Sequence, residues 1–389
     1  MERRAPSGEA RQAAPKASRA WWATALSLLL LTLIGCASTA DLDEREALRR
    51  ALRARGIDPS RVIVPFGLNE EMRRWVHEVA PPNLGHREKL LRLNEALLDA
   101  EQWKVEYSWG YTGTAIEVFA EHRANCLAFT NLFVGMAREV GVPVYFLSVE
   151  RVETFRKEGD LVVVSDHVAV GYGEPPTNFE IIDFSEYRND SYRSVHRVSD
   201  LTAIAMFHSN RGAEALQRGD VSDALDWLQT AVIVDPGLVP AWVNLGVVLR
   251  RAGDVRGAEE AYKHALEIDP RMVSAYQNLA ALLELEGRRE EAQSFMELMQ
   301  RTPSRNPFSY LSLGDVSLRN GHLEEARRFY RRAVSLSRDN AEIYAALGQV
   351  AAAKGDLRTA RKMLRKARKI DSENVRALRL ASMIEGGNG

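Results

Sequence analysis

Between residues 205 and 374 the chain repeats itself every 34 residues, and no other feature limits its folding so tightly. Gly212, Gly246, Ala280, Gly314 and Gly348 fall in register, and each is followed twelve positions later by an alanine: Ala224, Ala258, Ala292, Ala326 and Ala360. Two antiparallel helices cross closely only where small side chains let their backbones approach, with large neighbours filling the remaining gaps. Gly219, Gly253, Gly287, Gly321 and Gly355 stand seven after the first small residue, where the turn between paired helices needs a permissive, left-handed backbone. Trp242, Tyr276, Tyr310 and Tyr344 stand four before it in the last four units, and Asp235-Pro236 and Asp269-Pro270 close the first two. The third unit carries Met296 and Met299 where the second has Tyr262 and Ala265, yet the register survives. These spacings predict five helical hairpins, closed by a capping helix over 375–386.

The pattern resembles the tetratricopeptide repeat. That resemblance implies an all-α solenoid whose inner face holds a peptide or another protein and which has no catalytic constellation of its own. Toward its end, Arg358, Arg361, Lys362, Arg365, Lys366, Arg368 and Lys369 read as a solvated helix face; contact with anionic lipid or lipopolysaccharide phosphates is the other use of such a stretch.

The opposite end of the chain reads as an address. Arg3, Arg4, Arg11, Lys16 and Arg19 precede an apolar run from Trp21 to Ile34, too short for a comfortable membrane span. The run ends in Leu33-Ile34-Gly35-Cys36, which resembles the lipobox of bacterial lipoproteins. By that resemblance, residues 1–35 are a signal peptide removed on export, Cys36 is the acylated first residue of the mature chain, and 36–60 form an anchor and linker. Ala37 and Ser38 follow the cysteine in place of an aspartate, which in such lipoproteins implies the outer membrane, facing the periplasm.

The period is absent from the middle region, residues 61–203. Helical segments are expected at 70–79 and 87–98, separated by Pro81-Pro82. A third begins at Asn125-Cys126 and runs to about 140, where Gly141 stops it. Strand-like runs follow at 144–149, 161–172 and 179–184. Cys126 thus falls in the first turn of a helix, where the partial positive charge of the terminus favours a thiolate. His167 lies in the second strand run and Asp183 in the third.

That order, carried by Arg123-Ala124-Asn125-Cys126, Gly141-Val142-Pro143-Val144, Asp166-His167-Val168-Ala169-Val170 and Ile181-Ile182-Asp183, resembles the transglutaminase-like fold, a relative of papain-type cysteine proteases, over residues 85–190. The resemblance implies Cys126 as nucleophile, His167 as general base and acid, and Asp183 orienting the imidazole. It implies thiol acyl transfer through a thioester, resolved by water in a peptidase or amidase and by an amine in a transglutaminase. The backbone N–H of Cys126 and a side chain from Tyr107-Ser108-Trp109-Gly110-Tyr111 are the oxyanion donors to consider. A buried free cysteine without a role is the plainer reading of Cys126. The rival function is a non-catalytic envelope scaffold or assembly factor.

The fold class expected is therefore an α+β transglutaminase-like domain (61–203), then an all-α solenoid (205–374) and a capping helix and tail (375–389). A net charge of −1 gives no support for a nucleic-acid partner. Cys36 and Cys126 sit in contexts too different for a disulfide. His122 reads as a surface residue, and the remaining histidines lack paired ligand spacing, so neither metal nor cofactor is expected.

Overall fold

The computed structural model describes residues 46–99, 103–150, 155–158, 161–164, 167–174, 178–184, 194–302 and 307–386. The chain divides into two compact units, Met1–Ala51 and Leu52–Gly389. Residues 46–51 of the first are helical. The second holds every element named below. Cys36 and the segments around it lie outside the described residues.

An α+β region comes first. Asn69 caps α1 (Glu70–Val79) by accepting from Met72 N, and α2 (His86–Leu98) follows. A two-residue strand β1 (Glu106–Tyr107) runs parallel to β2 (Arg123–Ala124), with α3 (Ala115–Glu121) between them. Thr114 and Glu117 close a reciprocal capping box on α3. Next is α4 (Cys126–Glu139), in which every residue from Cys126 to Ala137 is buried. A helix buried on every side belongs in a core, and the remaining elements enclose it. The chain crosses α4 closely at Gly135, where an added Cβ would meet the Phe66 carbonyl oxygen at 2.4 Å.

Six further strands follow: β3 (Val144–Glu150), β4 (Phe155–Glu158), β5 (Leu161–Val164), β6 (His167–Glu174), β7 (Asn178–Ile182) and β8 (Ser194–Val198). Four of them make an antiparallel sheet in the order β7-β6-β3-β8. Successive side chains on a strand point to opposite faces. Val144, Phe146, Val168 and Val170 accordingly join the core with α4, while Tyr145, Leu147, Val149 and Ala169 form a separate cluster. The single strand expected over 161–172 is two: Leu161–Val164 pairs with β4 in a hairpin, whereas His167–Glu174 pairs with β3 and β7. The apolar residues on the two sides of Ser165-Asp166 look alike, and periodicity does not report which strand lies alongside each.

The repeats occupy the rest: α5 (Asp200–Gln217), α6 (Val221–Val234), α7 (Val239–Arg251), α8 (Val255–Ile268), α9 (Val273–Leu285), α10 (Arg289–Arg301), α11 (Pro307–Arg319), α12 (Leu323–Leu336), α13 (Ala341–Ala353), α14 (Leu357–Ile370) and a last helix α15 (Val375–Gly386). Each hairpin turns at its expected glycine, with φ between 76° and 86°. The next backbone N–H then bonds back to the preceding helix, as Asp220 N does to Ala215 O and Asp356 N to Ala351 O, which satisfies a carbonyl the helix end would leave open. At Gly246 and Gly314 an added Cβ would lie 2.4 and 2.3 Å from the rings of Tyr262 and Tyr330. The small residue is thus required by the tyrosine that crosses it. Met296 and Met299 are buried in the third unit, filling the space that Tyr262 and Ala265 fill in the second.

First helices of successive hairpins touch one another, from α5 with α7 through to α13 with α15. Side-chain bonds link them, including Asn244 Nδ2 to Ser209 Oγ (3.3 Å) and Arg319 to Glu284 (3.2 Å). First helices therefore line the inner side of the array and second helices the outer.

The 203–205 boundary drawn on periodicity falls inside one continuous helix, α5. Ala203 and Phe207 on α5 belong to the core built around α4, and Trp227 on α6 packs against it. Arg138 clamps Asp200 through two bonds of 2.7 and 2.9 Å. His208, 2% exposed, pairs through Nε2 with the Ile63 carbonyl at 3.2 Å.

Candidate functional site

Asn125 is the N-cap of α4: its Oδ1 accepts from Ala128 N at 2.8 Å, so the helix can start at Cys126. Its Nδ2 donates to Thr112 Oγ1 at 2.7 Å, and its backbone N–H donates to the Tyr111 carbonyl at 3.2 Å. Both bonds stitch the helix start to the segment that leaves β1. The ladder of β1 and β2, extended by Ser108 N to Ala124 O at 2.8 Å, brings Tyr107, Ser108 and Trp109 alongside the residues just before Cys126.

Cys126 is a free cysteine and 6% exposed. One turn along α4, two contacts fix the helix to two strand ends. Thr130 Oγ1 donates to the Val168 carbonyl at 3.1 Å, one residue into β6 from His167. Phe129 stacks on Phe184, ring centroids 4.2 Å apart and planes within 7°, and Phe184 adjoins Asp183 just past β7. β6 and β7 are hydrogen-bonded neighbours, with Val170 opposite Ile182. The backbone therefore brings Cys126, position 167 and Asp183 to one corner of the α+β region.

Tyr107 lies in the same corner. Its ring meets Trp109 edge to face at 5.1 Å and Phe184 at 5.7 Å. Burial, followed by the proximity of Cys126 and then of Asp183, pushes its phenol well above the usual range, so it stays protonated and able to donate at neutral pH. Trp109 is 54% exposed beside it and gives the corner an aromatic rim.

Asn125 stands within one of the motifs above with no task assigned to it, although an asparagine before a helix is the sign of a cap. Thr112 and Glu214 carry no such sign, and no local pattern joins them. Thr112 N donates to Glu214 Oε1 at 2.7 Å, and Arg211 Nη1 reaches the Thr112 carbonyl at 3.5 Å. Both partners sit on α5, about a hundred residues along the chain. Burial raises the Glu214 carboxyl above its ordinary value, and the Thr112 bond opposes that rise. His122 holds the left-handed C-cap of α3 (φ 54°) and packs 4.2 Å from Trp103, a half-buried structural residue.

Among the described residues no group of three or more His, Cys, Asp or Glu side chains is placed to hold a metal. No helix among them is long and apolar enough to cross a membrane.

Two family models, both described as tetratricopeptide repeat, match residues 239–272 and 317–384. The C-terminal half of the chain carries tetratricopeptide repeats, a class of fold that generally mediates protein or peptide binding. A comparison with curated proteins returns no match. Among solved structures, a thermophilic repeat protein of Thermus thermophilus is similar at 23% identity, over 46% of this chain and 98% of that one, with a TM-score of 0.40. The pilF protein of Pseudomonas aeruginosa is similar at 24% identity over 47% and 86%, also with a TM-score of 0.40. YrrB, described as a repeat protein with an unusual peptide-binding site, is similar at 18% over 46% and 92%, with a TM-score of 0.33.

Proposed function

We propose that this chain is a lipid-anchored envelope protein in which a thiol acyl-transfer site acts on a protein or peptide that the repeats hold. In this reading Cys126 Sγ attacks an amide carbonyl while His167 takes the thiol proton. The C–N bond breaks, the amine leaves with that proton, and a thioester remains on Cys126. Water then releases an acid, or a second amine releases a new amide, with His167 again moving the proton. Asp183 fixes the imidazole tautomer, and the Cys126 N–H, with Tyr107 beside it, answers the negative charge on the carbonyl oxygen. The observation that carries the proposal is the corner itself: Thr130 and Phe129 tie the first turn of α4 to the two strand ends that hold His167 and Asp183. The anchor is Cys36, lipidated at the outer membrane and facing the periplasm.

A second reading, a non-catalytic scaffold in which only the repeats bind, draws on the 6% exposure of Cys126. Envelope extracts passed over immobilised Cys126→Ala protein separate the two. An acyl-transfer site gives iodoacetamide labelling of the parent at Cys126 near neutral pH, and a trapped amide-containing partner that the parent converts. A parent thiol that labels no faster than a buried cysteine, with the same partners recovered unaltered by both proteins, overturns catalysis and leaves the scaffold. Cys36→Ala protein that still takes up lipid overturns the anchor.

A further inference from the structure

The two outer helices that end the array differ in charge from everything before them. Residues 323–371 hold thirteen Lys and Arg against six Asp and Glu, so the remainder of a chain with a net charge of −1 must carry a surplus of eight negative charges. On α8, and for some of the cations on α12, an acidic partner stands within one turn of the same helix. Arg256 pairs with Glu260 at 3.0 Å and Lys263 with Glu259 at 2.6 Å on α8, and Arg327 pairs with Glu324 at 2.8 Å on α12. The α14 helix contains no acidic residue. Its Arg358, Arg361, Lys362, Arg365, Arg368 and Lys369 are all exposed and form no ion pair among the described residues.

Spacings of three and four set these side chains in two adjacent rows, 358-361-365-368 and 362-366-369, along about 16 Å of helix. Lys366 is also exposed, with Nζ 5.0 Å from the centre of the Tyr344 ring. Seven like charges held this close repel one another unless something anionic neutralises them.

A second feature stands at the same end. Ile370, which ends α14, and Val375, Leu378 and Met383 on α15 are exposed. On α15 the inward residues Ala377, Leu380, Ala381 and Ile384 are packed into the array, while Val375, Leu378 and Met383 turn 44 to 62% of their surface outward. A row of cations bordered by isolated aliphatic side chains matches the interface of a bilayer, where headgroup phosphates meet the acyl boundary. Nucleic acid would use the cations and leave the aliphatic residues idle.

We propose that α14 and the outer edge of α15 dock the far end of the repeat array onto an anionic phospholipid surface. The contact is independent of Cys36 and of Cys126. It engages the end of the array and leaves the groove made by the earlier first helices outside the contact.

The test uses the full chain with sedimenting vesicles of phosphatidylcholine alone and of phosphatidylcholine with phosphatidylglycerol, at low and high salt. Arg3, Arg4, Arg11, Lys16 and Arg19 beside the N-terminal apolar run add an anionic preference common to parent and variants, so the difference between them is the quantity that matters. Each basic residue near such a surface is worth roughly a fivefold change in binding. The quadruple variant Arg361→Gln, Lys362→Gln, Arg365→Gln, Lys366→Gln should therefore lose the anionic preference by at least about tenfold, as should the parent in high salt. Leu378→Ser with Met383→Ser should weaken binding at all salt concentrations while leaving the salt dependence in place. All substituted residues are exposed, and an unchanged melting temperature confirms that each variant folds. Equal binding of the parent to both vesicle types, or an anionic preference that the quadruple change does not reduce, overturns the proposal. So does preferential binding of the parent to duplex DNA over anionic vesicles.

Discussion

The repeats and the α+β region bury comparable apolar cores by opposite routes. In the repeats, each hairpin meets only its neighbours, and one short set of residues is used again and again. A glycine turns the chain, a small residue admits a tyrosine or leucine, and an alanine closes the crossing. In the α+β region nothing is reused, and α4 is surrounded by segments far apart in sequence: Phe66 crosses it at Gly135, Val168 accepts from Thr130, and Phe184 stacks on Phe129. The difference teaches where tolerance lies. A fault in one hairpin stays local, whereas a fault around α4 reaches every element that touches it.

The two regions meet in α5, which belongs to both. A chain ending at residue 203 loses Phe207, His208 and Glu214 and should give no cooperative unfolding transition. A chain ending at 235 keeps α5 and α6, with Trp227, and should retain one; circular dichroism with denaturant distinguishes them. A milder version is Phe207→Ala, expected to destabilise the α+β region by about 3–5 kcal/mol although the residue lies on a repeat helix. If amide exchange shows the loss confined to the repeats, the two regions are independent after all.

Acid should act at the same junction. Burial pushes His208 down to about 4 against an ordinary value of 6.5, with the Ile63 carbonyl bond opposing the shift. The folded state therefore favours the neutral ring, and the unfolded chain binds the extra proton between those two values. Stability is full above about pH 6.5 and declines as pH falls toward 4, by roughly 3 kcal/mol in all. His208→Gln should flatten that part of the profile in melts at pH 7 and pH 4.5; an unaltered slope would assign the acid sensitivity elsewhere.

The smallest effects belong to the caps. Asp220, Asp254 and Asp356 cap the second helices of their hairpins, whereas Arg288 and His322 at the same position give no side-chain cap. Asp254→Ala should cost about 1 kcal/mol, and His322→Asp, which places a carboxylate three before Glu325, should add up to a similar amount. Matching shifts in melting temperature, opposite in sign, would show that hairpins obey one local rule.

The legibility of the sequence follows the same division. The left-handed glycines and close crossings are set by neighbours at fixed spacing, so Gly253 and Gly246 could be assigned from the period alone. Asn125 and Cys126 were readable because a helix start has its own residue preferences. The hairpin of β4 and β5 was not, since the apolar residues before and after Ser165-Asp166 carry no sign of which strand each set pairs with. Thr112 was invisible for a stronger reason: its partners are Asn125 and, a hundred residues on, Glu214, and no window of sequence contains all three. The corner around Cys126 was therefore legible in its members and illegible in what holds them.

Sharing α5 also sets a timetable. A nascent chain appears N-terminus first, at roughly 5–20 residues per second, so the core around α4 waits on the order of seconds between the synthesis of β8 and that of Trp227. Through that interval its apolar surface has no lid, and chaperones and proteases meet it in that state. Once α5 seats, it offers α6 and α7 a finished surface to pack on. A free repeat array can begin folding at any hairpin. Here the first hairpin is tied to the core around α4, so the array has one end already fixed from which to grow.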